Sequence, residues 1–135
     1  MFWLSHHFPE EHHRCYRLGG LMVCARCVGT YPVMLLGIVG QLALPAPLSH
    51  PLDLPIGLAL VVPATLDWAR GRLSPAAGSN GWRTVTGVLL GLGLARSLFI
   101  HLQKPLPMLL VAQATLVTLV GVPVILTAYW RSRRR

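Results

Sequence analysis

Three cysteines lie close together near the amino end of the chain, and they are the only cysteines in its sequence. Cys15 is followed by Cys24 and Cys27, and the last two form a C-x-x-C motif. Thiolates at this spacing can bind a single metal ion or form a disulfide. These residues therefore favour two kinds of chemistry, metal binding and thiol–disulfide exchange.

The segment between Cys15 and Cys24 predicts a β-hairpin that brings the two thiols together. Its centre is Gly19-Gly20, and paired glycines favour a two-residue turn because both can adopt positive φ. The predicted cross-strand pairs are Cys15 with Cys24, Tyr16 with Val23, Arg17 with Met22, and Leu18 with Leu21. Cβ atoms of such pairs lie about 4.5–5.5 Å apart. Because Cys27 follows one turn later, we expect the three sulfur atoms to converge.

A histidine is expected to complete a metal site with these thiolates. Three thiolates and one imidazole form a tetrahedral zinc site, and iron accepts the same ligands. His12 is the first candidate because it stands three residues before Cys15. The competing histidines are His6, His7 and His13. Nearby arginines can balance the negative charge of the thiolates, and they are Arg14, Arg17 and Arg26.

The composition indicates that most of the remaining chain lies in a membrane. Of its 135 residues, 53% are hydrophobic and 12% are charged, whereas a soluble domain has about 25% charged residues. Four apolar runs cover residues 30–44, 54–69, 82–101 and 106–130. A spanning helix needs about 17–25 residues, so the first two runs must include flanking residues. We predict an all-α membrane protein with four transmembrane helices and a short N-terminal Cys/His β-hairpin, similar to a zinc knuckle.

The positions of the basic residues predict how the protein is oriented. The net charge is +8, and the arginines cluster before the first run, between the second and third, and after the fourth. The positive-inside rule then places these segments, and both termini, on the cytoplasmic side of a bacterial inner membrane. We predict a metal-binding segment at residues 1–29, a transmembrane domain at 30–130 and a basic tail at 131–135.

The basic tail and the bilayer define the expected partners. The tail is expected to contact anionic lipid through Arg131, Arg133, Arg134 and Arg135. A membrane protein or a second copy of the chain are further candidate partners. We expect no nucleic-acid partner, because the excess of arginine follows the predicted topology.

A second polar cluster is expected between the second and third helices, on the same side as the cysteines. The candidate residues for an anion or substrate are Asp67, Arg70, Arg72, Asn80 and Arg83. Asp67 lies near a helix C-terminus, where the helix dipole disfavours an acid, so we expect Arg70 or Arg26 to pair with it. The simplest role for Ser79 or Asn80 is to cap the third helix. The alternative is a phosphate-binding pocket lined by the arginines.

Arg96 is an ionisable residue within the third apolar run. Such a residue is costly in a membrane unless it pairs or extends to the headgroups. We expect it either to reach the outer surface or to contact a backbone carbonyl, Gln41 or Gln113.

The motifs around the cysteines resemble a family of small prokaryotic membrane proteins, known as domain of unknown function 2085. The resemblance begins with C-A-R-C-V-G-T-Y at residues 24–31 and extends over roughly residues 6 to 95. Its later motifs are Asp67-Trp68, Ser79-Asn80, Arg83 and Thr86-Gly87. The family places a Cys-His pair where this chain has His6-His7, and it places no cysteine at position 15. The resemblance implies this fold and a Cys/His site without implying an activity.

Three functions are consistent with these residues. The first is a non-enzymatic membrane protein whose Cys₃His metal site has a structural, regulatory or metal-handling role. An alternative is a metal-dependent membrane enzyme that acts on a lipid-linked or phosphorylated substrate. A second alternative is a thiol–disulfide oxidoreductase that uses Cys24 and Cys27. The sequence favours the first, with zinc as the metal.

Overall fold

The computed structural model of the protein consists of a β-hairpin followed by four helices. It describes residues 13–19, 21–44, 46–74 and 78–134. The elements are β1 (Cys15–Leu18), β2 (Leu21–Cys24), α1 (Ala25–Ala43), α2 (Asp53–Leu73), α3 (Asn80–Gln103) and α4 (Met108–Arg133). The predictions of a mostly helical chain and of a small N-terminal hairpin are confirmed.

The hairpin has the register that its glycine pair predicts. β1 and β2 are antiparallel, with Cys15 opposite Cys24 and Leu18 opposite Leu21. Gly19 has a φ of 53°, which a residue with a side chain rarely adopts. β2 continues without a break into α1, so this helix begins five residues before the predicted run. Cys27 therefore lies in the first turn of a helix and not in a loop.

Three of the four helices, α1, α3 and α4, are long and apolar enough to cross a membrane. α2 is also 21 residues long, but it includes four charged residues that lower its hydropathy. These are Asp53, Asp67, Arg70 and Arg72. The structure thus gives three candidate membrane spans, and the prediction of four spans is not confirmed.

The contacts between helices give the order α1–α3–α2–α4 across the molecule, because α3 packs between α1 and α2, and α2 packs between α3 and α4. Gly57 and Trp68 of α2 contact Leu109 and Gly121 of α4, so these two helices run in the same direction. One end of the molecule therefore holds the hairpin, the end of α2, the start of α3 and the end of α4. We call it the hairpin end.

Small residues allow α1 and α3 to approach closely. A Cβ added to Gly87 would collide with the backbone oxygen of Arg26, and one added to Gly91 would lie 2.6 Å from the backbone oxygen of Thr30. Gly29 on α1 faces the backbone of α3 in the same way. The spacing of Gly87 and Gly91 thus marks a helix contact, as small residues four apart do in membranes.

Arg96 joins three elements near the end opposite the hairpin. Its guanidinium donates to both carboxylate oxygens of Asp53, at 2.8 and 2.7 Å, and to the Pro47 carbonyl at 2.7 Å. A fourth hydrogen bond reaches Gln41 Oε1 at 3.2 Å. The expected contacts with Gln41 and a carbonyl are confirmed, and Gln113 instead donates to Gly57 and Gly93. Arg96 therefore links α1, the α1–α2 connection and α2 to α3.

Candidate functional site

The three thiols lie where β2 meets α1. Cys15 and Cys24 lie directly opposite each other on the two strands, where Cα atoms are about 4.5–5.5 Å apart. Cys24 is the residue before α1, and its side chain contacts that of Cys27 in the first helical turn. No disulfide joins any two of them. The junction of hairpin and helix thus gathers every cysteine of the chain.

The described part of the chain does not itself form a complete metal site. Within residues 13–19, 21–44, 46–74 and 78–134, no group of three or more His, Cys, Asp or Glu side chains is arranged to hold a metal ion. His6, His7 and His12 lie outside the described residues, and His13 is exposed. The cysteines are the described members of the six predicted metal ligands, and the metal site as a whole, including its histidine, stays a prediction.

Hydrogen bonds fix the hairpin to the end of α2 and the start of α3. Asn80 donates from Nδ2 to the carbonyls of His13 and Cys15, at 3.0 and 3.3 Å. Arg14 donates to the carbonyl of Gly71 at 2.8 Å. The hydroxyls of Tyr16 and Thr84 are 3.0 Å apart. These contacts hold Cys15 in place against the helical domain.

An ion pair connects the C-x-x-C motif to α2. Arg26, between the two cysteines, donates from Nη2 to Asp67 Oδ2. The Asp67 side chain is 7% exposed and that of Arg26 is 20% exposed. The predicted need of Asp67 for a partner is confirmed, and the partner is Arg26, the second of the two expected candidates.

The predicted anion-binding residues are only partly brought together. Arg83 is buried, and its guanidinium donates to Asn80 Oδ1 at 3.3 Å. Asp67 lies close enough for its charge to interact with that of Arg83. Arg70 and Arg72 are exposed on the last turn of α2. Ser79 caps α3 by accepting a hydrogen bond from the Trp82 amide at 3.2 Å, which confirms the simpler role predicted for Ser79 or Asn80.

Positive charge surrounds the thiols at the hairpin end. Arg83 lies close enough to Arg14, Arg26 and Cys24 to interact with each of them electrostatically. The starts of α1 and α3 also meet here, and helix N-termini carry partial positive charge. The described aspartate at this end is Asp67, whereas Asp53 lies toward the other end. The described arginines around the cysteines therefore outnumber the described acids.

Two residues that hold the site were missing from the predicted contacts. Thr84 reaches the carbonyl of Ala25 at 3.0 Å, and Arg14 reaches α2 across a separation of 57 residues. Thr84 lies one helical turn after Asn80 on α3, so its spacing from this motif residue could have predicted that it lies at the site. Nothing local predicted the partner of Arg14, because that partner is a backbone carbonyl.

Comparison with known proteins gives one family. The model of the family described as predicted membrane protein (DUF2085) matches residues 10–98, which include the hairpin, α1, α2 and most of α3. No curated protein and no solved structure shows significant similarity to the chain.

Proposed function

Because this chain belongs to the DUF2085 family of predicted membrane proteins, we propose that it is a membrane protein that binds a thiophilic divalent metal ion, zinc in the first instance. Cys15, Cys24 and Cys27 supply thiolates, and a histidine from the amino-terminal segment supplies the fourth ligand. The main support for this site is the register of the hairpin, which places Cys15 opposite Cys24. Cys24 in turn contacts Cys27. The described side chains do not themselves form a metal-binding group, so the cysteine side chains must change position for all three sulfurs to reach one ion.

The charge around the thiols supports a thiolate site. Three thiolates and a neutral imidazole give a zinc site with a net charge of about −1. A buried charge needs compensation, and Arg14, Arg26 and Arg83 supply it, with Asp67 as the described acid among them. The metal would have a structural or regulatory role, since it would join the hairpin to the segment before it. The hydrogen bonds of Asn80 and Arg14 would extend this order to α2 and α3.

Metal content tests this proposal. Protein purified in detergent is expected to contain about one zinc ion per chain by elemental analysis, and Cys24→Ser is expected to lower affinity more than about 100-fold. The reason is that loss of a supporting residue alone costs about 10–100-fold in metal affinity, and a lost ligand costs more. The histidine ligand is identified by alanine variants of His6, His7, His12 and His13. His101→Ala is the control, because His101 lies at the opposite end. Wild-type protein without metal, or Cys24→Ser with unchanged metal, would contradict the proposal.

We also propose that α2 is a fourth membrane span. α1 and α3 both begin at the hairpin end, since Gly29 packs on Thr84 and Gly91 on Thr30. If α1 and α3 both cross the membrane, α2 must bring the chain back between them. Its 21 residues give a length of about 31 Å, and the hydrocarbon core is about 30 Å thick. Its charged residues support this reading because they lie in its first turn and its last two turns.

The arginines support a cytoplasmic position for the hairpin end. α4 ends there, so its terminal arginines join those of the hairpin and α2, while Arg96 and Lys104 lie toward the other end. In a bacterial inner membrane, the positive-inside rule assigns this end to the cytoplasm. Arg131, Arg133, Arg134 and Arg135 would then contact anionic lipid.

Reporter fusions test this topology. Alkaline phosphatase, which is active only after export, is expected to be inactive when fused after Arg135 and active when fused after Gln103. Green fluorescent protein is expected to show the reverse pattern. A fusion after Leu73 isolates the contribution of α2, because phosphatase there is inactive only if α2 crosses the membrane. Strong phosphatase activity after Leu73 or Arg135 would contradict four spans with cytoplasmic termini.

A further inference from the structure

The thiols of the C-x-x-C motif differ in their access to solvent. Cys24 is 4% exposed and Cys15 is 8% exposed, whereas Cys27 is half-buried. The Cys24 and Cys27 side chains contact each other. Cys27 is therefore the most accessible of the three thiols, and Cys24 lies in contact with it.

We propose that Cys27 and Cys24 form a thiol switch that responds to hydrogen peroxide. The Cys27 sulfur attacks the peroxide oxygen, so that the O–O bond breaks, Cys27 becomes a sulfenic acid and one water leaves. The Cys24 sulfur then attacks the Cys27 sulfur, the S–S bond forms, and the hydroxyl leaves as a second water. Two thiols lose two electrons and hydrogen peroxide gains them, so the products are one disulfide and two waters.

The backbone positions allow this disulfide. Residues three apart at the start of a helix have Cα atoms about 5 Å apart, and disulfides span about 4.4–6.8 Å. Cys15 is also within disulfide distance of Cys24 across the hairpin. Its thiol is buried, however, so Cys15 is not the thiol that peroxide reaches. The more accessible Cys27 decides which pair forms.

Oxidation would also regulate the proposed metal site, and this consequence rests on the proposed function. A disulfide between Cys24 and Cys27 removes two of three thiolate ligands, so the metal ion would leave. The disulfide itself depends only on the positions of the two cysteines. Metal content measured before oxidation therefore tests the metal site separately from the switch.

Peptide mapping reads the pairing directly, because an arginine separates each cysteine from the next. Trypsin cleavage after Arg14, Arg17, Arg26 and Arg70 places Cys15 in peptide 15–17, Cys24 in 18–26 and Cys27 in 27–70. Detergent-purified protein is treated with hydrogen peroxide, then blocked with an alkylating reagent and digested without reductant. We expect peptides 18–26 and 27–70 to be joined and peptide 15–17 to be alkylated. Joining of 15–17 to 18–26, or sulfinic acid on Cys27 without any joined peptide, would overturn the switch.

Two variants separate the roles of the thiols. Cys15→Ser is expected to keep the Cys24–Cys27 disulfide. Cys24→Ser is expected to stop Cys27 at the sulfenic acid, which dimedone traps as a stable adduct on peptide 27–70. Dimedone labelling confined to Cys24 in the Cys27→Ser variant, with none on Cys27 in Cys24→Ser, would also overturn the proposed order of attack. The wild-type peptide map decides the pairing without relying on any variant that fails to fold.

Discussion

Asp67→Asn is expected to lower the free energy of unfolding by about 3 kcal/mol, because it removes the carboxylate that faces Arg26 and lies near Arg83. Removing one partner of a buried ion pair costs about 3–5 kcal/mol, since the remaining charge loses its compensation. We expect the lower limit because the Arg26 side chain is 20% exposed. Asparagine keeps the shape of the side chain, so the loss reports the charge.

Denaturant unfolding of detergent-solubilised protein measures this effect. Asp53→Asn is the matched control, because its ion pair with Arg96 is more exposed, at 19% for each side chain, and it should lose less stability. A double-mutant cycle with Arg26→Gln isolates the pair itself. If the losses from Asp67→Asn and Arg26→Gln simply add, the two residues do not stabilise each other and the interpretation is wrong.

Gly29→Ala is expected to destabilise the protein by about 3 kcal/mol by forcing α1 away from α3. The new Cβ would collide with the backbone oxygen of Thr84 and lie 2.9 Å from the backbone nitrogen of Val88. Neither atom can move by rotation of a side chain, so the helices themselves must shift. Overpacking of this kind typically costs about 1–3 kcal/mol, and we expect the upper limit.

Gly40→Ala on the same helix is the control for Gly29→Ala. A Cβ at Gly40 has no neighbour within 4 Å. Alanine is also the better helix former by about 0.8–1.0 kcal/mol, so Gly40→Ala should be neutral or stabilising. Thermal unfolding followed by circular dichroism compares the two variants. Equal effects of the two substitutions would show that the contact between α1 and α3 does not depend on Gly29.

The hairpin and its register were predictable because local chemistry decides them. A pair of glycines at the turn fixes which residues face each other, and no distant residue has to be known. The same holds for Ser79, whose side chain caps the helix that follows it. The membrane character of α3 and α4 was equally predictable, since length and hydrophobicity are properties of each segment.

Contacts between distant segments were predictable only in part. Asp67 needed a basic partner because of its place on its own helix, but Arg26 and Arg70 satisfied that need equally well in the sequence. Arg70 points outward, and Arg26 reaches Asp67 because α1 begins directly after the hairpin. The apolar run at residues 30–44 needed flanking residues to span a membrane, and α1 takes them from the amino side, where it begins at Ala25.

The amino-acid sequence is enough to predict the clustering of three cysteines, the turn that pairs two of them, and the hydrophobic segments that follow. These depend on neighbouring residues and on composition. The packing of distant segments was needed to show that Asn80 and Arg14 hold the hairpin, that Arg26 pairs with Asp67, and that Cys27 is the most accessible thiol. Each of these features depends on how closely α1 and α3 pack and on which end of α2 lies beside them. The distance between α1 and α3 is set by many weak contacts between segments that are far apart in the chain.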